Sequence, residues 1–272
     1  MTACHSSLFP LFEAIIVLGN SGTPEVDSVF DVGRRVGTPV RLATLARLRQ
    51  GTYRLLSALF LPPEPTRLAS FRAGARFLLH RKARFTELAC YPAWENLLRM
   101  LRGLKQARCA QLQEAYARLF LAKEVHDPLP LLESSFLSLG SYELGSFLAE
   151  LDAEYARAGI KVLPDGEAPD HLVMEMEFLA VLCGRESAAW RNGQAKEALV
   201  MVLQQQDFLL RHPCRWLPEL AALAAARDDL WIYTQAIQTA RAIVAHDGTF
   251  LGALADGMSA VILGGGRLEK QP

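Results

Sequence analysis

The sequence predicts an all-α protein, a single globular helical bundle of about nine or ten helices. Three observations predict it. Apolar residues recur at offsets of three and four in one segment after another. Proline and glycine punctuate these segments at short intervals. No segment shows the period-two alternation of a strand that packs one face on a core. Segment lengths and loop chemistry do not recur at any fixed spacing, so stacked helical repeats are disfavoured.

Residues 1–43 mix apolar patches with Gly19, Gly22, Pro24, Gly33, Gly37 and Pro39 and hold no period, and are read as a poorly structured extension. The helical domain spans 44–263. Its first helix runs from Thr44 through Leu45, Leu48, Leu55, Leu56, Leu59 and Phe60 and stops at Pro62-Pro63. Pro65 to Arg81 gathers Leu68, Phe71, Ala75 and Leu78 on one face, and Trp94 to Leu104 gathers Trp94, Leu97, Leu98 and Leu101. Gln106 to Phe120 continues the pattern through Leu112, Tyr116 and Leu119. Pro128 and Pro130 then mark a loop over 126–132.

Ser141 to Ala158 is the next helix, with Gly159 expected in the left-handed conformation that closes it. Pro164, Gly166 and Pro169 break the chain before a helix opened by Asp170 and running through Val173 to Cys183. Helices are then expected over Ser187–Arg211, Arg215–Ala226, Asp229–Ala245 and Thr249–Leu263, the last two separated at Asp247-Gly248. Residues 264–272 are read as a flexible tail.

Composition narrows the function classes. With 29 basic and 29 acidic residues among 272, no global field draws the chain to nucleic acid or to an anionic membrane. Five scattered cysteines, without a C-x-x-C pair, read as free thiols of a reducing compartment, and Cys183 as a buried small hydrophobe. Leu8 to Leu18 contains Pro10 and Glu13 and has no basic region before it, so it is not read as a signal peptide. The expected location is the cytoplasm.

The polar turn Glu167-Ala168-Pro169-Asp170-His171 is the richest candidate site, because two carboxylates and an imidazole stand at the start of an apolar helix. Asp170 has two readings. It can cap the helix by accepting first-turn amides, or it can join Glu167 in gripping an arginine of a bound peptide through paired hydrogen bonds. His171, near the positive end of the helix dipole, is expected to be a neutral ring that holds the loop. Glu175 and Glu177, two residues apart on a helix, point away from one another and are not an acid–base pair. Ser134 and Ser135 have no nucleophile-elbow setting, and Gly264–Gly266 precedes no helix, so catalytic residues, cofactors and metal ligands are not assigned. Most aromatic residues fill core, and a minority, with Trp94 and Tyr116 as the candidates, would line an apolar groove for a peptide helix.

Taken together, Glu167-Ala168-Pro169-Asp170-His171-Leu172 and its helix, Tyr53-Arg54-Leu55-Leu56 with Pro62-Pro63, Tyr116-Ala117-Arg118-Leu119-Phe120, Glu133-Ser134-Ser135 and Arg215-Trp216-Leu217-Pro218 resemble motifs of the TorD/DmsD/NarJ redox-enzyme maturation chaperones, in order and spacing, over about residues 44–246. The sequence departs from that family's pattern at Ala168, where the family usually has proline, and before Glu133, where its proline-tyrosine is missing. The resemblance implies a TorD-like bundle without enzymatic activity, binding the apo catalytic subunit of a DMSO-reductase-family molybdoenzyme and its twin-arginine leader. It implies a peptide-binding role for Glu167, Asp170 and His171, and Pro169 and Glu133 are counted with them as candidate client-binding residues. It is compatible with a monomer or a segment-exchanged homodimer. The alternative is a helical protein–protein scaffold without leader specificity.

Overall fold

The computed structural model describes residues 39–81, 88–121, 127–164, 166–227 and 231–264. Residues 1–38, which include Cys4 and the Leu8–Leu18 stretch, and the tail from 265 onward lie outside the described residues.

Nine α-helices, and no strand, are found among them: α1 Pro39–Leu59, α2 Pro65–His80, α3 Tyr91–Arg102, α4 Cys109–Tyr116, α5 Ser141–Arg157, α6 Leu172–Arg191, α7 Ala195–Arg211, α8 Pro213–Ala225 and α9 Trp231–Gly264. The all-α expectation therefore holds. Helix α1 is already formed at Pro39, where the described residues begin, ahead of the boundary expected at Thr44. The Gln106–Phe120 segment is not uniform. A 3₁₀ turn at Gln106–Arg108 leads into α4, and a π turn at Ala117–Leu121 widens its end.

Helices α1 and α6 form the centre. Ser187 Oγ donates to the Ala43 carbonyl near one end, and Arg54 acts on Glu177 near the other, so the two helices run antiparallel. Each is buried on more than one side: Leu48, Leu55 and Leu56 of α1 and Met176, Leu179 and Leu182 of α6 are all enclosed. Removing each such side chain from water contributes about 1.5–3 kcal/mol before ordering costs. Cys183 is buried as expected and donates Sγ–H to Gln205 Oε1 at 3.0 Å; burial pushes its thiol far up. Trp94 of α3 is a core residue that hydrogen-bonds Thr52 Oγ1 at 2.9 Å.

Two expected boundaries are corrected. The helix expected over Ser187–Arg211 is two helices, because Gly193, at φ 70°, takes a left-handed conformation that stops α6. The expected stop at Asp247-Gly248 is absent, and α9 runs unbroken from Trp231 to Gly264. Asp247 stays helical because its carboxylate faces inward and accepts from Arg49 Nε at 2.7 Å and from the Tyr53 hydroxyl at 2.7 Å. Gly248 is tolerated where Cys214 Sγ packs 3.5 Å from the position of a Cβ. By contrast, Gly159 adopts φ 65° and closes α5 as the sequence predicted.

Candidate functional site

The polar turn is held by a clamp made of two chain segments far apart in sequence. Leu132 and His171 form an isolated antiparallel bridge, in which Glu133 N–H donates to the Asp170 carbonyl at 2.9 Å and Leu172 N–H to the Leu131 carbonyl at 2.8 Å. Glu133 opens a 3₁₀ turn, Glu133–Phe136, whose Ser134 N–H donates to Asp170 Oδ2 at 3.1 Å. The Tyr155 hydroxyl of α5 donates to the Pro169 carbonyl at 2.8 Å. Pro164, Gly166 and Pro169 keep this stretch out of helix, and its backbone groups are therefore satisfied by neighbours rather than by itself.

Asp170 is not the helix cap. That position belongs to His171, whose Nδ1 accepts the Val173 N–H at 3.2 Å. Asp170 lies one residue too early and is drawn inward by the 133–136 turn, where it is 1% exposed. Burial lowers the pKa of His171, against the opposing pull of Glu167 and Asp170, which supports the neutral ring expected from sequence. Its Nε2 stands 3.6 Å from Glu167 Oε2, an electrostatic contact longer than a hydrogen bond. Glu167 itself lies on the rim, with its side chain 34% exposed.

Beneath the turn lies a buried acid cluster. His212, the single residue between α7 and α8, is placed there by the break that Pro213 enforces. Its Nδ1 is 2.8 Å from Glu133 Oε2, and its Nε2 is 3.0 Å from Arg211 Nη1. A guanidinium can only donate, so Nε2 accepts and Nδ1 carries the N–H that donates to Glu133 Oε2. Glu175 enters from α6 and accepts from Trp216 Nε1 at 3.2 and 3.3 Å. Burial, and then the Glu133 carboxylate, push the Glu175 carboxyl well above the ordinary range. Glu133 Oε1 is buried without a hydrogen-bond partner, and the neighbouring Glu133 side chain is among the influences that raise the Glu175 carboxyl. Sequence reasoning missed Glu175, His212 and Trp216 as a unit, although it correctly set Glu175 and Glu177 on different sides of α6.

Tyr116 is buried, donates to the Phe60 carbonyl at 3.0 Å and packs at an angle against the rings of Phe120 and Tyr233. Burial and the Glu167 carboxylate push its phenol up to about 12. The clamp therefore gathers Glu133, Pro169, Asp170 and His171, with Glu167 at its rim and Tyr116 within that carboxylate's field. Trp94 packs in the core and takes no part in the clamp.

Among the described residues, no His, Cys, Asp and Glu cluster is arranged to hold a metal ion, and no helix is long and apolar enough to cross a membrane.

Residues 88–222 match the family described as the nitrate reductase delta subunit. The selenate reductase assembly chaperone protein of Thauera selenatis is 46% identical over 67 residues, 25% of this chain and 34% of that protein. The chlorate reductase assembly chaperone protein of Ideonella dechloratans is 51% identical over 53 residues, 20% of this chain and 26% of that protein. The chain thus spans about a third and about a quarter of the length of these two curated relatives. These matches bear out the resemblance read from the sequence motifs.

Proposed function

We propose, on the premise that this chain is a redox-enzyme maturation chaperone similar to the nitrate reductase delta subunit over residues 88–222, that it binds the apo catalytic subunit of a molybdenum-containing reductase and holds it for assembly. The observation that carries this reading is that Glu133, Pro169, Asp170, His171, Glu175 and His212 all fall inside the matched span. The two curated relatives are named as assembly chaperones of a selenate and a chlorate reductase, and an oxyanion reductase is the corresponding client class.

The protein acts in the cytoplasm, by binding and not by catalysis. It recognises the client's twin-arginine leader at the rim of the clamp, shields the subunit until the cofactor has been inserted, and then releases it for export. Glu167 supplies a surface carboxylate for a basic side chain. Apolar helix faces beside the turn supply most of the binding free energy, at about 25 cal/mol per Å² removed from water before ordering costs. Asp170 and Glu133 brace the turn from inside, so the rim carboxylate is presented at a fixed position.

The test is affinity capture of the tagged protein from its native cytoplasm at low salt, with mass spectrometry of what is bound. A single reductase precursor carrying its leader is the expected result. Recovery of unrelated proteins would replace this reading with a scaffold that has no leader specificity.

A further inference from the structure

A partner's arginine arriving at this clamp would find the best acceptors already engaged. Arg211, the last residue of α7, donates Nη2 to both oxygens of Glu154 at 2.9 Å, Nε to Asp207 Oδ2 at 2.9 Å, and Nη1 to His212 Nε2 at 3.0 Å. Four acceptor atoms on three side chains thus converge on one guanidinium. That guanidinium is not sealed in: the Arg211 side chain is 46% exposed and Asp207 is 63% exposed. The seat adjoins the clamp on both sides. Tyr155, next to Glu154, holds the Pro169 carbonyl, and His212 Nδ1–H donates a hydrogen bond to Glu133.

Glu167 stands at the rim of the clamp, and the clamp's two other carboxylates are differently placed. Asp170 Oδ2 is engaged by Ser134 N–H, and Glu133 is fully enclosed and engaged by His212. Neither can take an incoming guanidinium without opening the clamp. Glu154 and Asp207 can take one by exchange.

We propose that Arg211 is an in-chain plug in an arginine seat formed by Glu154, Asp207 and His212, and that a guanidinium of the bound partner segment displaces it. The proposal rests on the reading of this site as a binder of a basic leader, and it adds how the site is kept closed. Exchange of one arginine for another conserves the charge-assisted hydrogen bonds, so occupancy is decided by the flanking residues of the partner and not by charge alone. Lysine is disfavoured because a single ammonium nitrogen cannot reach Glu154, Asp207 and His212 together as the three spread nitrogens of a guanidinium do. Without a partner the seat presents no free carboxylate pair to stray cations. Displacement also releases the bond to His212 Nε2, which couples occupancy of the seat to the clamp.

The experiment titrates the full chain with a labelled synthetic peptide carrying Arg-Arg between apolar flanks, and with its Lys-Lys counterpart, for wild type, Arg211→Gln and Arg211→Lys. Removing the competitor is expected to tighten Arg-Arg binding about fivefold in Arg211→Gln, the gain set by the modest strength of an exposed ion-pair cluster. Arg211→Lys, which keeps the charge but not the fork, is expected to fall between. If Arg211 has a structural role alone, both variants melt earlier and bind no more tightly, and that outcome overturns the plug. Arg-Arg-selective binding that is unchanged or weaker in the variants overturns the plug and leaves the leader reading standing. Failure of all three proteins to prefer Arg-Arg over Lys-Lys removes the leader reading and the plug together. Should Arg211→Gln fail to fold by circular dichroism, Arg211→Lys carries the same signs.

Discussion

Arg49 Nε and Asp247 Oδ2 meet at 2.7 Å in the interior, although 198 positions separate them in the chain. The same guanidinium donates Nη1 to Glu186 Oε2 at 2.9 Å and Nη2 to Gln205 Oε1 at 2.5 Å, so one side chain of α1 ties together α6, α7 and α9. Burial acts to lower the pKa of Arg49, but Asp247 and the other surrounding groups hold it well above its ordinary value. The cation is therefore permanent, and its partners are what make its burial tolerable.

Arg49→Ala leaves the carboxylates of Glu186 and Asp247 buried without their counter-charge. The expected loss is about 3–5 kcal/mol, read from the urea midpoint. A variant that melts within about 1 kcal/mol of wild type would show that the network is not holding the four helices together.

Glu175 gives stability a distinctive pH dependence. Its folded-state pKa lies above the unfolded value, so the folded protein binds the extra proton between those two values. Stability from this group is fully present below the unfolded pKa of about 4.3 and is lost as pH rises through the raised folded value. His171 acts in the opposite sense. Its folded pKa is lowered, so its contribution is present above the unfolded value of about 6.5 and is lost as pH falls through the folded one. Glu175→Gln mimics the protonated carboxyl, keeping an acceptor for Trp216 and a donor for Glu133. Urea melts from pH 4.5 to 8 are expected to show a flatter decline on the alkaline side in this variant than in wild type; equal slopes would remove the raised Glu175 carboxyl from the account.

At the clamp, Asp170→Asn keeps an oxygen for Ser134 N–H and is expected to fold with nearly wild-type stability, whereas Asp170→Ala leaves that donor without its partner and costs about 1–3 kcal/mol. Because Asp170 faces inward, Asp170→Asn is also expected to bind the leader peptide with wild-type affinity. A large loss of affinity in calorimetry would return Asp170 to direct contact with the partner.

Gly159→Ala forces a Cβ into φ 65°. A loss of about 1 kcal/mol is expected, from the steric cost of the left-handed region. Space is available, since the nearest atom to the added Cβ is Arg185 Nη2 at 3.7 Å. No loss would mean that the backbone there relaxes.

Helical class, the boundaries at Pro62-Pro63 and Gly159, and the polar turn before α6 were legible because each depends on local chemistry: apolar spacing, a missing N–H, a residue able to adopt positive φ. The Gly193 stop carried the same kind of local signal, in Asn192-Gly193, and was passed over. The remaining differences are of another kind. Asp247-Gly248 reads locally as a terminus, and only the buried Arg49 turns it into helix interior. Asp170 reads locally as a cap, and only the 133–136 turn, 36 residues away, draws its carboxylate inward and leaves the cap to His171. His212 and Glu175 carry no local signature, because what distinguishes them is one enclosed space and one another's charge. The sequence by itself determined where helices form, since hydrogen bonds four residues apart and amphipathic spacing are properties of neighbouring residues. Tertiary structure alone decided which polar groups are buried, paired and protonated, because those properties depend on the electrostatics of groups that meet only once the helices have packed.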